Sequence, residues 1–223
     1  MDQNLDYIDI HAHTYYTAPD TRVLLNVFPH QTENLNLPCS KSVGLHPWHL
    51  SETTYTNQLK TVEHLSKLAD VIAIGETGLD KAIAVNYDLQ KEVFSYHLTI
   101  AASCNKPVVI HCVRAYSEML AYRKSFDPKI PWIFHWFNAD ISIALQLIKK
   151  NCYLSFGHML FNQRSKAYGV FQQIPPENLF FETDDAGYSI QDVYARAATL
   201  RNMVVMDLQK QIINNFARCF HTL

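Results

Sequence analysis

Along the chain, short runs of β-branched and aliphatic residues alternate with longer segments whose apolar positions recur every three or four residues, the pattern of repeated strand and helix units. Eight such runs occur, at residues 7–11, 22–28, 41–46, 71–76, 107–111, 131–135, 152–156 and 179–184. Helical periodicity fills residues 56–69, 87–104, 116–126 and 141–150, and residues 191–220 read as one or two closing helices. The first two connections differ: residues 14–21 and 29–40 carry Pro, Asn and Thr in place of a helical stripe. The pattern predicts an α/β fold, a single (β/α)8 barrel of the TIM type with shortened first and second connections, spanning residues 1–223 as one domain.

Composition narrows this picture. A chain of 223 residues that is 48% hydrophobic can bury one sizeable core. A formal net charge of -2 supplies no basic field, so a polyanionic substrate has to be held by a local site. No apolar run approaches the roughly 18 residues of a membrane span, and the expectation is a soluble cytoplasmic protein without membrane partners. The five cysteines are scattered without a Cys-x-x-Cys pair and are expected to be reduced and mostly buried.

Barrels of this class carry their chemistry at the C-terminal ends of the strands, and the ionisable residues of this chain collect there. The first run ends His11-Ala12-His13, where period-two alternation sends both imidazoles to one side and Ile8, Ile10 and Ala12 to the other. Later runs end in Glu76, His111, His135 and Glu182-Thr183-Asp184. Each of these histidines alone reads as an ordinary hydrogen-bonded strand-end residue. Together they make a cluster of carboxylates and imidazoles whose burial is costly without a cation. Imidazole nitrogen with carboxylate oxygen suits zinc, manganese or iron, and admits magnesium.

The ordered set of motifs resembles the TatD-like metal-dependent hydrolases, within the amidohydrolase-type barrel group. It comprises Asp9-Ile10-His11-Ala12-His13, Gly44-Leu45-His46-Pro47-Trp48, Ile74-Gly75-Glu76-Thr77-Gly78-Leu79-Asp80, Pro107-Val108-Val109-Ile110-His111, Phe134-His135 and Glu182-Thr183-Asp184. The resemblance implies two divalent ions per chain (Zn, Mn or Mg). His11, His13 and Asp184 would bind one, His111 and His135 the other, and Glu76 would bridge them. It further implies a phosphoester substrate, with DNA as the usual assignment, and hence a phosphodiesterase or deoxyribonuclease acting through a metal-activated water.

Asp184 is then the expected general base, and His46 a donor to a phosphoryl oxygen, or otherwise a turn residue fixed by Pro47. Asp9 and Glu182 are in phase to orient the imidazoles. Three departures from the family pattern bear on the substrate. Val113 stands where an arginine is common, leaving Arg114 as the candidate phosphate contact; Trp136-Phe137-Asn138-Ala139 follows His135; and Asp185-Ala186-Gly187 follows Asp184. Two other readings stay open: an amidase or lactonase using the same water on a carbonyl, and a catalytically degenerate metal-binding barrel that acts as a ligand-binding protein. Trp48 and Trp136 are candidate stacking surfaces, with loop packing as their alternative role. His30, His49, His64, His97, His158 and His221 are expected to be structural or solvated.

Overall fold

The eight apolar runs are strands. The computed structural model describes residues 5–126 and 129–220. In chain order the elements are β1 (Tyr7–Ala12), β2 (Thr21–Val27), β3 (Ser40–Val43), α1 (Tyr55–Leu65), β4 (Val71–Asp80), α2 (Tyr87–Cys104), β5 (Val108–Val113) and α3 (Tyr116–Ser125). They continue with β6 (Trp132–Phe134), α4 (Ile141–Ile148), β7 (Cys152–Phe156), α5 (Lys166–Phe171), β8 (Leu179–Phe181), α6 (Ile190–Arg201) and α7 (Val205–Cys219). The strands form one sheet in the order β1 to β8, and a parallel bridge from Ala12 to Asp184 returns the segment after β8 to β1. This is the (β/α)8 barrel fold. As the composition of the first two connections implied, β1 and β2 are joined without a helix, and β2 and β3 by a single 3-10 turn, Thr32–Asn36.

Internal packing divides the chain into two units, one comprising the residues up to Leu25 with those from His135 on, the other running from Asn26 to Phe134. The core of the first is built from Ile8 and Ile10 of β1 and Phe180 and Phe181 of β8 with Tyr194, Leu208 and Ile212 of the closing helices. Each such fully buried side chain contributes about 1.5–3 kcal/mol. Polar groups fix the helices to the strands: the Tyr194 hydroxyl accepts from Ile8 N at 3.1 Å, and Asn215 Nδ2 donates to Leu179 O at 2.8 Å. Ser189 caps α6 with a reciprocal capping box to Asp192.

The core of the second unit joins Val43, Ile74 and Val109 to Val62, Phe94 and Leu98, with Trp132 fully buried beneath the Arg123 guanidinium. Helix α2 fills the interval that its periodicity predicts, capped by Asn86 and ended by Asn105 in the left-handed conformation.

Several boundaries depart from the sequence pattern, three of them at candidate site residues. β4 runs on to Asp80, so Glu76 lies inside the strand rather than at its end. Gly75 and Gly78 permit this: both have positive φ, and a Cβ at either would collide with a carbonyl oxygen of β5, that of Val109 or of His111. β8 stops at Phe181 and β3 at Val43, which puts Asp184 and His46 in the segments beyond their strands. Helix α5 has only six residues, too short for its buried Ala167, Val170 and Phe171 to register as a period. None of the five cysteines is in a disulfide; two are buried and three half-buried, where the sequence leads one to expect burial of most. Among the described residues, no helix is long and apolar enough to cross a membrane.

Candidate metal-binding residues

In the first unit, the alternation of β1 puts His11 and Asp9 on one face, both buried, while His13 lies just past the strand and is half-buried. Asp184 meets them from the segment after β8. Its backbone is left-handed (φ 55°), its N–H donates to His11 O at 2.9 Å, and its carbonyl accepts from His13 N at 3.3 Å. Asp184 Oδ1 thereby stands 3.1 Å from His13 Nε2 and 3.7 Å from His11 Nε2. The His135 ring lies 4.4 Å from that of His11, centroid to centroid. His11, His135 and Asp184 each offer one ligand atom, and all three atoms lie within 4.8 Å of one another. Burial pushes the Asp184 carboxyl up, but the hydrogen bond from His13 and the charges of His11 and His135 outweigh it and hold the group below the usual carboxylate value.

Two buried carboxyls support this set. Asp9 reaches backbone and hydroxyl groups rather than an imidazole: its oxygens accept from Thr183 N (3.0 Å), Thr183 Oγ1 (2.6 Å), Tyr16 Oη (2.8 Å) and His11 N (3.4 Å). It thus ties the strand carrying His11 to the segment carrying Asp184. Burial raises its pKa to about 6 against those hydrogen bonds. Glu182 does face an imidazole, with Oε1 3.9 Å from His135 Nδ1 and accepting from Trp136 N at 2.5 Å. Burial raises it to about 7. Its Oε2 is buried without a hydrogen-bond partner among the described residues. A cationic site beside His135 relieves that cost, and on this ground and the chemistry of the donors the set fits a divalent ion.

In the second unit, Glu76, His111 and His46 make a fully buried trio. Glu76 Oε1 lies 2.9 Å from His111 Nδ1 and 3.1 Å from His46 Nε2. The other nitrogen of each ring is also engaged. His46 caps a 3-10 turn, Pro47–His49, and its Nδ1 accepts from Trp48 N at 3.1 Å. A neutral His46 therefore carries its proton on Nε2 and is a donor, so the turn role and the chemical role coexist in one residue. His111 Nε2 lies 3.2 Å from Asp80 Oδ2; in the tautomer that donates this N–H to Asp80, Nδ1, on the Glu76 side, is the atom open to a metal. Burial raises Asp80, but hydrogen bonds from His111 and Trp48 prevail and lower it to about 2.

Sequence reasoning did not single out Asp80, Asn26 or Gln90. Asn26 Oδ1 accepts from Glu76 N at 2.6 Å and from Ser42 Oγ at 3.2 Å, which fixes the backbone at Glu76. Its signal was a polar residue inside the apolar run 23–28. Asp80 follows Glu76 by four residues, in phase on a strand that the pattern ended too early. Arg114 is exposed with left-handed backbone (φ 55°), and its guanidinium makes no hydrogen bond or ion pair among the described residues.

The residues after His135 and Asp184 shape the surroundings of the first set. Trp136 is left-handed and half turned to solvent, its ring 5.3 Å from that of His158. Thr14, Tyr16, Asp184, Asp185, Tyr188 and Ser189 help to line a cleft of about 330 Å³. Of the remaining histidines, His97 is structural: its Nε2 accepts from Leu45 N at 3.0 Å, and burial lowers its pKa to about 4 and keeps it neutral. His30, His49 and His64 are exposed, and His221 lies outside the described residues.

A (β/α)8 barrel with buried imidazoles and carboxylates at and beyond its strand ends has the donor groups of a metal-dependent hydrolase. Residues 30–221 match the model of the family described as TatD related DNase, and the chain belongs to that family. Among its relatives, the uncharacterized metal-dependent hydrolase YcfH of Escherichia coli is 30% identical over 199 residues, 81% of this chain and 73% of that protein. The protein of Pantoea ananatis named 3'-5' ssDNA/RNA exonuclease TatD is 29% identical over 168 residues, 74% of this chain and 64% of that protein. Among solved structures, the TatD homologue YJJV of Escherichia coli superposes with a TM-score of 0.82 at 20% identity, covering 98% of this chain and 99% of that one.

Proposed function

We propose that the chain hydrolyses phosphodiester bonds, those of single-stranded nucleic acid in the first place, at two divalent cations. The observation that carries the reading is the second unit's trio, in which a proton donor, His46, stands 3.1 Å from the same Glu76 oxygen that faces the candidate ligand His111. A ligand pair with a donor beside it suits a reaction in which negative charge grows on oxygen. The exonuclease name of the Pantoea relative supports the choice of substrate.

His11, His13, His135 and Asp184 hold one cation in this account, and Glu76 and His111 hold the other. Mixed nitrogen and oxygen donors favour zinc or manganese over magnesium. When bound, such ions lower the pKa of water toward neutrality and neutralise phosphoryl oxygens. In the first unit Asp184, anionic at neutral pH, accepts the proton of the attacking water. In the second, His46 donates from Nε2 to a phosphoryl oxygen, and Asp80 and Glu76 keep His111 in one orientation. Arg114 is the residue for a further phosphate, since its guanidinium is uncommitted.

A substrate panel tests the reading. Metal-loaded protein is expected to cleave phosphodiesters and to leave lactones and amides intact, and Arg114→Ala is expected to raise the KM for the diester several-fold with unchanged metal content. Turnover of lactones alone would move the chain to carbonyl chemistry. No turnover of any of the three, with metal bound, would make it a binding protein.

A further inference from the structure

Trp48 inverts the usual arrangement of a tryptophan. Indole rings ordinarily bury their hydrocarbon and leave the N–H at the wet end. Here the N–H is turned inward, donating to Asp80 Oδ2 at 2.8 Å, while the residue is 61% exposed, the Asp80 acceptor only 2%. Asp80 is itself immobilised: its Oδ1 accepts from Ala82 N at 2.7 Å, its N–H donates to Gln90 Oε1 at 2.8 Å, and its carbonyl accepts from Gln90 Nε2 at 3.1 Å. The backbone of Trp48 is fixed as well, by Pro47 before it and by the bond from its N–H to His46 Nδ1. The ring is therefore held at both ends and presented to solvent.

Its surroundings point to what it receives. The Trp48 ring lies edge-on to His46 (centroids 5.2 Å, interplanar angle 84°) and to His111 (6.1 Å, 74°). The carboxylate that holds the indole N–H also takes His111 Nε2, so one buried anion sets both the platform and the ligand. A flat ring lying on Trp48 thus carries whatever is attached to it toward His46 and His111. A preorganised aromatic side chain loses little entropy on binding, and stacking of a base on such a ring tolerates any base.

We propose that Trp48 is a specificity-determining residue that stacks on a nucleobase of the substrate, and that Asp80 is the positioning residue that couples this platform to His111. The inference deepens the phosphodiesterase reading and rests on it for the attached phosphate.

Calorimetric titration of zinc-loaded protein with thymidine 5'-monophosphate and with 2-deoxyribose 5-phosphate separates the two claims, since neither measurement needs turnover. Wild type is expected to bind the nucleotide on the order of tenfold or more tightly than the sugar phosphate. Trp48→Ala should abolish that difference and leave zinc content and sugar phosphate affinity unchanged, and Trp48→Phe should retain part of it. Asp80→Asn should shift the indole N–H proton resonance of Trp48, weaken nucleotide binding and loosen zinc together, a combination that mere loss of packing does not give. Equal affinities for the two ligands in wild type, or an undiminished difference in Trp48→Ala, would overturn the platform even if phosphodiesters are cleaved. A base-dependent difference that vanishes in Trp48→Ala, in protein that cleaves no phosphodiester, would uphold the platform and overturn the reading of the reaction.

Discussion

Asp184→Asn is expected to lower kcat on a phosphodiester by about 10²- to 10⁴-fold while the protein stays folded, the range typical for loss of general-base assistance. The substitution suits the site because asparagine tolerates the left-handed backbone that Asp184 adopts (φ 55°). The backbone bonds to His11 and His13 involve only main-chain atoms and should persist. What is lost is the charge beside His11 and His13 and the capacity to accept a proton. A thermal melt close to that of wild type confirms folding, and metal analysis establishes whether the first donor set still holds its ion. A variant that keeps its metal and most of its kcat would show that another group takes the proton.

The site was legible in the sequence to the extent that it depends on strand alternation. Period two in β1 puts His11 on the same face as Asp9, opposite Ile8 and Ile10, and the positions of His111 and His135 follow from the apolar runs that precede them. Illegible were the features set by backbone irregularity. Nothing in the pattern of residues 71–76 announces that β4 continues through Gly78 to Asp80, because two glycines with positive φ interrupt the hydrophobic alternation there. The apolar run 179–184 carries Glu182, Thr183 and Asp184 as strand, whereas β8 ends at Phe181 and the left-handed turn at Asp184 re-aims its carboxylate. The inward N–H of Trp48 depends on Asp80, 32 residues away, and no local period encodes such a contact.

Glu76→Gln should have the larger effect on the metal. Glu76 Oε1 lies 3.1 Å from His46 Nε2 and 2.9 Å from His111 Nδ1 in a site that is nearly closed to solvent. The amide preserves volume but removes the only charge of that carboxylate, leaving two buried imidazoles facing a neutral group. Residues that merely orient a ligand typically cost about 10- to 100-fold in metal affinity, and a ligand carboxylate should exceed this. Activity should fall with it. His46→Gln is the contrasting variant: as a proton donor rather than a ligand, His46 should be dispensable for metal content and needed for rate. Full metal retention and full rate in Glu76→Gln would remove Glu76 from the ligand set.

Hydrolysis of a phosphodiester is expected to depend on metal held by these residues. Elemental analysis of the purified protein, paired with its rate on a thymidine oligonucleotide before chelation, after chelation and after readdition of zinc, manganese or magnesium, tests it most directly. Stoichiometric divalent metal is expected, with loss of cleavage as the metal is removed and recovery when one of the ions is returned. Protein stripped of metal that cuts the oligonucleotide at an undiminished rate would contradict it, as would protein that holds its full complement of metal and cuts no phosphodiester at all.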